Sequence, residues 1–237
     1  MKSGKLMHNN LAASTEIHMT LDGSHTLFIP LIEESYHSTH GAIQESEFIY
    51  MNAGLKFCAK KEITVFEVGF GTGLNAFLTL LEAERQQLKI HYITVEKYPV
   101  VVEDALKLNY TDIIASDKKA LFGMMHYWQW NQPVQLTPEF ILEKVNADFV
   151  NFDHFASYDV IYFDAFSPEK QPEMWTQELF EKLYAHCNDN AVLVTYCAKG
   201  AVRRAMQKAG FAVERLAGPP GKREILRATK IQQKKQE

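Results

Sequence analysis

Cysteine is scarce and scattered: Cys58, Cys187 and Cys197 are the three in 237 residues. None stands at the short spacing of paired ligands, which argues against a disulfide framework and against a structural zinc. A reducing compartment, the cytoplasm, is expected. Long apolar runs are missing too, so nothing reads as a membrane span. Residues 1–14 are polar, with His8-Asn9-Asn10, and lack the apolar stretch of a secretory leader; they read as a frayed end. Neither sign of charge dominates, since 25 Lys and Arg against 29 Asp and Glu leave −4 and no global basicity announces a nucleic-acid binder. The distribution is uneven: basic residues gather from Lys199 onward, while residues 148–181 are acidic. A local basic patch for a phosphate backbone therefore stays open, whereas residues 230–237 read as a solvated tail. No repeat, low-complexity tract or Ser/Gly-rich linker interrupts the chain, and its length suits one large domain or one domain with an extension.

What is present centres on residues 64–81, TVFEVGFGTGLNAFLTLL. Residues 64–68 are apolar and β-rich, as in a buried parallel strand. Gly69, Gly71 and Gly73 follow, able to adopt positive φ and to admit another molecule close to the backbone. Leu74 to Leu81 then run on without a breaker, as a packed helix does. Strand, glycine turn and helix make the nucleotide-binding opening of a doubly wound α/β domain. The spacing G-x-G-x-G departs from the G-x-G-x-x-G of dinucleotide folds, and Glu67 before the turn suits an ammonium or sulfonium better than a phosphate.

Taken in order, residues 16–30 read as two short strands around Asp22-Gly23, and a helix is expected from Thr39 or Gly41. His37 and His40 have no third ligand nearby and read as surface or capping histidines. A second strand at residues 91–95 ends in Glu96, where a carboxylate can accept from both ribose hydroxyls of a nucleoside. A helix is expected over residues 99–108. The aromatic stretch 122–138, with Tyr127, Trp128 and Trp130, reads as a cover over the cleft or plain packing rather than a base-stacking platform. A third strand over residues 140–145 precedes Asp148, a carboxylate within reach of an adenine amine. Residues 158–163 are a buried strand ending in Asp164-Ala165-Phe166-Ser167-Pro168, an edge position where open α/β sheets place their chemistry. Asp164 as a mere turn cap is the plainer alternative. One helix over residues 172–187, a strand over 191–197, a helix over 202–209 and a terminal strand pair around Gly218-Pro219-Pro220-Gly221 complete the pattern.

The glycine turn resembles motif I of class I S-adenosylmethionine-dependent methyltransferases. A narrower resemblance rests on YHSTHGAIQESEFIY at 36–50, EVGFGTGLNAF at 67–77, VEKYP at 95–99, FDAFSPEKQPEMW at 163–175, VRRAMQKAGF at 202–211 and GKRE at 221–224. Over about residues 20–230 the chain is similar to the methyltransferase domain of the bifunctional tRNA wobble-uridine modification enzymes of the MnmC type, or its stand-alone form. The resemblance implies an α/β, Rossmann-like fold with a seven-stranded, mostly parallel sheet flanked by helices. Residues 1–55 would be a small N-terminal β extension covering the cofactor, and residues 56–237 the catalytic domain. It implies S-adenosyl-L-methionine as cofactor. The FAD-dependent domain of the bifunctional members has no counterpart in length or motif here, so a separate enzyme is expected to supply the free amine.

The resemblance also implies roles. Gly69, Gly71 and Gly73 would admit the methionine part, lined by Glu67 and Asn75. Glu96 would take the ribose, with Lys97 beside it in the cofactor set, and Asp148 the adenine amine. Asp164 would face the methyl and the incoming nitrogen, and Tyr36, Ser38 and Glu45 would close the pocket. The implied reaction is methylation of the 5-aminomethyl group of a 2-thiouridine-type wobble base by a monomer that grips a tRNA anticodon stem-loop. Arg203, Arg204, Lys222 and Arg223 are candidate phosphate contacts, although Arg203 and Arg204 equally suit an exposed helix face. A fixed carboxylate at Asp164 would stabilise the ammonium that develops on nitrogen, and secondarily accept its proton. The rival readings are a methyltransferase for a small molecule or protein, a nicotinamide oxidoreductase, and a non-catalytic nucleoside-binding module.

Overall fold

Extended chain first pairs around Asp22-Gly23, where the hairpin signal stands. Glu16–Met19 (β1) and His25–Ile29 (β2) run antiparallel, and Glu34–Ser35 (β3) adds a third short strand. The Asp22 carboxylate accepts from the Ser24 N–H at 2.9 Å, the Thr20 hydroxyl at 2.7 Å and the Gln44 N–H at 3.0 Å. That last bond ties the turn to the following helix, Ala42–Ser46 (α1). Beyond α1 the coil widens, and Glu47–Gly54 form a π-helix, a rare geometry that concentrates at functional sites. This computed structural model describes residues 15–153 and 156–231. The reading of residues 1–14 as a frayed end, and the part of the 230–237 solvated-tail reading beyond residue 231, lie outside the described residues. Lys230 itself is not solvated tail: its N–H donates to the Ala191 carbonyl at 3.0 Å and its ammonium to the Cys187 carbonyl at 2.8 Å, which holds it against the sheet.

The main sheet is built from Glu62–Val68 (β4), Lys89–Glu96 (β5), Pro133–Thr137 (β6), Phe140–Asn146 (β7), Tyr158–Phe163 (β8), Cys187–Thr195 (β9), Ala212–Ala217 (β10) and Glu224–Thr229 (β11). Its order is β10-β11-β9-β8-β4-β5-β7-β6. Strands β7, β5, β4, β8 and β9 are mutually parallel, and β11 enters antiparallel between β9 and β10. The expected seven strands are thus present, joined by an eighth. This is β6, drawn from the aromatic stretch and paired antiparallel to β7. Pro133 opens it on the outer edge, where a missing N–H costs little.

Both faces of the sheet are covered, as a parallel sheet requires. Ile63, Val65, Tyr92, Tyr162 and Val194 pack in one core with Leu74–Gln86 (α2) and the π-helix. Val102–Ala105 (α3) and Tyr110–Ile114 (α4) are short, and Lys119–Tyr127 (α5) adds Phe122 and Met125 to that core. Phe66, Val68, Ile93, Phe163 and Leu193 face the other way, against Gln177–His186 (α6) and Gly200–Lys208 (α7). All six residues of β8 are buried.

Two expected helices differ. Over residues 172–187 the chain first makes a 3₁₀ turn, Pro172–Trp175, and then restarts. The restart has a local cause, because Thr176 is extended and its hydroxyl accepts from the Leu179 N–H at 3.4 Å, capping α6. Over residues 99–108 only α3 is helical, since Val101 before it is extended.

Candidate active site

Three backbone hydrogen bonds draw the C-terminal ends of the central strands together. The Gly69 N–H donates to the Val95 carbonyl at 2.9 Å, Asp164 to Val68 at 3.0 Å and Ala147 to Glu96 at 3.2 Å. The sheet is wound to opposite sides from β4 and β8, and ligands of such sheets sit at this switch point. A cleft of about 530 Å³ opens there, lined by Tyr36, Gly69, Gly71, Glu96, Asp164 and Phe166 among others.

The glycine turn has the backbone its sequence calls for, with φ of 93° at Gly69, 50° at Gly71 and 74° at Gly73. Side chains would also collide. A Cβ at Gly69 would lie 2.8 Å from the Asp164 carbonyl, and one at Gly71 would lie 3.0 Å from the Tyr36 ring. Behind the turn, Phe70 packs edge-on to Trp130 and near His126. Lys144 is buried there, donating to the His126 carbonyl at 3.0 Å over the Trp130 ring, and burial lowers its pKa to about 8. The aromatic stretch therefore packs behind the turn through Trp130, and neither Trp128 nor Trp130 lines the cleft.

Glu67 lies beneath the floor and does not line the cleft. It is fully buried beside Thr94, Tyr92 and Asn75, and neither carboxyl oxygen meets hydrogen-bond geometry among the described residues. Burial first, and then the neighbouring Asp164, push its pKa well above the carboxylate range, so it is held neutral. Glu96, by contrast, faces the cleft and accepts from Gly71 N–H at 3.2 Å and Tyr98 N–H at 2.8 Å. Burial raises its pKa and these N–H groups oppose the rise. Lys97 pairs with Asp148 at 2.8 Å across the same end of the cleft. Asp148 also accepts from the Val150 N–H at 3.1 Å.

Asp164 is the most elaborately held group. One oxygen accepts from the Tyr50 hydroxyl at 2.5 Å and the other from the Asn75 amide at 2.8 Å. Burial lifts its pKa to about 7, helped by Glu45 and opposed by the Tyr50 and Asn75 donors and by Lys222. The following loop is braced from three sides. Glu34 of β3 accepts from the Ser167 N–H and hydroxyl, both at 3.0 Å, Gln171 accepts from the Phe166 N–H at 3.2 Å, and the Trp175 indole donates to the Phe166 carbonyl at 2.8 Å. These bonds give DAFSP and PEMW a physical reason to occur together.

The N-terminal wall is tied to the C-terminal turn. Glu45 accepts from the Ser38 N–H at 2.8 Å and pairs with Lys222 at 3.2 Å, while Lys222 lies over the Tyr196 ring at 4.7 Å. Tyr36 stands edge-on to Phe166. Lys222 thus lines the cleft, apart from Arg204 and Arg223, which are exposed, and from Arg203, which is half-buried. His37 is not at the surface: it is buried, bonded to the Thr72 hydroxyl at 2.7 Å, and its pKa falls to about 4. Among the described residues no cluster of three or more His, Cys, Asp or Glu is arranged to hold a metal ion. Sequence reasoning missed Tyr50, Tyr196 and Glu34. Tyr50 does fall within the quoted 36–50 stretch, and that is the signal that could have drawn attention to it.

Comparisons with known proteins agree with this geometry. A family model described as S-adenosyl-L-methionine-dependent methyltransferase matches residues 125–231. The tRNA 5-methylaminomethyl-2-thiouridine biosynthesis bifunctional protein MnmC of Paraburkholderia phymatum is 28% identical over 216 residues, covering 85% of this chain and 33% of that protein. The Burkholderia thailandensis protein of the same name is 30% identical over 220 residues, with the same coverage, 85% and 33%. The chain spans about a third of the length of the curated relatives it matches. Among solved structures, MnmC2 from Aquifex aeolicus has a TM-score of 0.74 at 25% identity, covering 94% of this chain and 73% of that one. Spermidine synthase from Thermotoga maritima, at a TM-score of 0.55 and 14% identity over 92% of this chain and 72% of that one, shares the fold alone.

Proposed function

Because the chain belongs with the methyltransferase portion of the MnmC proteins, we propose that it transfers a methyl group from S-adenosyl-L-methionine to the 5-aminomethyl group of a wobble (2-thio)uridine in tRNA. The product would be the 5-methylaminomethyl-2-thiouridine that the relatives' name carries. One observation supports this reading above the rest: a carboxylate, Asp164, is held by two donors at the cleft edge beside the glycine turn.

The residues present fit the cofactor. Gly69 and Gly71 line the cleft on the side suited to the methionine part, with Asn75 alongside, whereas Gly73 lies behind them, where a Cβ would meet His126 at 2.9 Å. Glu96 offers carboxylate oxygens to ribose hydroxyls, and the Lys97–Asp148 pair stands at the adenine end. Tyr36, Ser38 and Glu45 wall the cleft from the N-terminal side. Glu67 acts from below, as a neutral group that leaves Asp164 the charged carboxyl of the two. S-adenosyl-L-methionine, when bound, supplies an activated sulfonium methyl, so the chain need not provide a covalent nucleophile.

The protein's work is orientation and charge. Alkylamines are mostly protonated at neutral pH, so the site must favour the free amine and then remove a proton from the methylated nitrogen. Asp164, with its pKa near 7, combines a negative charge facing the nitrogen with a usable proton affinity. Exposed Arg204 and Arg223 are the outward candidates for phosphate contacts with an anticodon stem-loop. A separate enzyme supplies the amine, and the chain works as a monomer in the cytoplasm. No helix among the described residues is long and apolar enough to cross a membrane.

Labelled S-adenosyl-L-methionine, incubated with the protein and bulk tRNA from cells lacking the modification, tests the reading. Digestion is expected to find label in 5-methylaminomethyl-uridine nucleosides. Cofactor binding without label in any tRNA nucleoside would discard the substrate and turn attention to a small molecule or protein acceptor.

A further inference from the structure

The group that most constrains Asp164 is Tyr50, the last residue of the 36–50 stretch, to which the resemblance assigned no role. Tyr50 sits in the middle of the π-helix Glu47–Gly54, only 1% exposed, with its hydroxyl 2.5 Å from one Asp164 oxygen. Its ring packs against Tyr162 of β8, one strand residue short of Phe163 and two short of Asp164. The π-helix is seated closely. A Cβ at Gly54 would lie 2.9 Å from Val194 and 3.3 Å from the Tyr162 ring, so glycine lets the coil touch β8 and β9. Asn75, from the first turn of α2, holds the other carboxylate oxygen, and Thr79 anchors that turn by donating to the Asn75 carbonyl at 2.7 Å.

We propose that Tyr50 is a positioning residue for methyl transfer, its hydroxyl fixing the Asp164 carboxylate so that the remaining lone pairs face the cleft and the acceptor nitrogen. The proposal rests on the methyl-transfer reading and adds a residue to it. The Tyr50 hydroxyl is a committed donor, because burial and the adjacent Asp164 keep it protonated. A donor to a carboxylate stabilises the charged form, so Tyr50 keeps Asp164 available as a base where burial alone would carry it further toward the neutral acid. The other titratable groups acting on Asp164 are Glu45 from α1, Glu67 from β4, Tyr92 from β5, Lys222 from the turn before β11 and Tyr196 after β9. Of these, Lys222 alone favours the carboxylate, and it is already paired with Glu45. The proton balance is simple: nitrogen bonds to the methyl carbon, the carbon–sulfur bond breaks with its electron pair on sulfur, and the excess proton on nitrogen passes to the Asp164 carboxylate and on to solvent.

Tyr50→Phe removes one oxygen and leaves the ring contacts. Its Asp164 carboxyl, followed by carbon-13 NMR of the protein alone, is expected to titrate about one pH unit higher than in the wild type. The acid limb of the kcat/KM profile is expected to move up by the same amount. At pH 7 kcat should fall about fivefold and recover at pH 9, with KM for S-adenosyl-L-methionine unchanged. Gly54→Ala, which lifts the π-helix from β8 and β9 without touching the cleft, should move the titration in the same direction. An unmoved carboxyl titration and an unmoved pH profile in a folded Tyr50→Phe would overturn the proposal. A shifted titration in a protein whose wild type methylates no tRNA would leave Tyr50 as the anchor of Asp164 and discard the substrate reading instead.

Discussion

Asp164 shows how a single carboxyl can be costly to the fold and useful to the reaction. Its pKa is raised from an ordinary carboxylate value to about 7, chiefly by burial. A group raised on folding contributes its full share of stability below its unfolded pKa, and that share is lost as pH climbs through the folded value. Asp164→Asn is therefore expected to match the wild type in Tm near pH 4 and to exceed it above pH 7. Thermal melts across that range check this, and a constant offset would refute it. The same variant should lose about 10²–10⁴-fold in kcat, the usual reach of a positioned acid or base. In the wild type, kcat/KM should rise with pH and level off above about pH 7. Glu96 gives a different residue-scale test, since it already holds two backbone N–H groups and faces the cleft. Glu96→Gln should weaken S-adenosyl-L-methionine binding about ten- to hundredfold by calorimetry, the range for hydrogen bonds to a charged group. An unchanged Kd would remove Glu96 from the cofactor set.

At the scale of elements, the glycine turn joins strand, ligand cradle and helix in five residues. Gly69 combines a φ of 93° with a position where an added Cβ would lie 2.8 Å from the Asp164 carbonyl oxygen, a clash with backbone that no side-chain rotation can relieve. Gly69→Ala is expected to destabilise the fold by about 1–3 kcal/mol, read as a lower urea midpoint with an unchanged slope. This turn was legible from sequence because glycine and an apolar run both carry local signals. So was β8, whose six buried residues are apolar enough to stand out except at Asp159. The π-helix was not legible: Phe48, Ile49, Tyr50 and Met51 are consecutive apolar residues whose pattern does not distinguish one coil width from another. Nor was β6, since a strand opening on Pro133 after Trp128 and Trp130 has the composition of a loop. The break at Thr176 depends on a single hydroxyl–amide bond inside an otherwise helical pattern. The Lys222–Glu45 pair joins residues far apart in the chain, and only the folded sheet brings them into contact.

For the whole molecule, a net charge of −4 hides a division of labour among cations. Lys222 is committed inward, to Glu45 and the Tyr196 ring, while Arg204 and Arg223 remain exposed. Substituting Arg204 and Arg223 by Glu is expected to weaken tRNA binding uniformly across sequences and to reduce the salt slope by about one per lost phosphate contact. Filter binding at several salt concentrations measures both quantities. Equal affinity and slope in both proteins would move the RNA surface elsewhere.

The tie between Glu45 and Lys222 has a further consequence, for the order in which the protein comes into being. A chain leaving the ribosome carries its glycine turn, Glu96 and Asp164 well before Lys222 has been added. Strand β11, which lies between β9 and β10 in the finished sheet, is also still to come. An early nascent chain can thus possess nearly every group of the cleft and still lack the clasp that shuts its N-terminal wall. The Glu45–Lys222 clasp can therefore form only after residues 69–164, which carry most of the cleft, have left the ribosome.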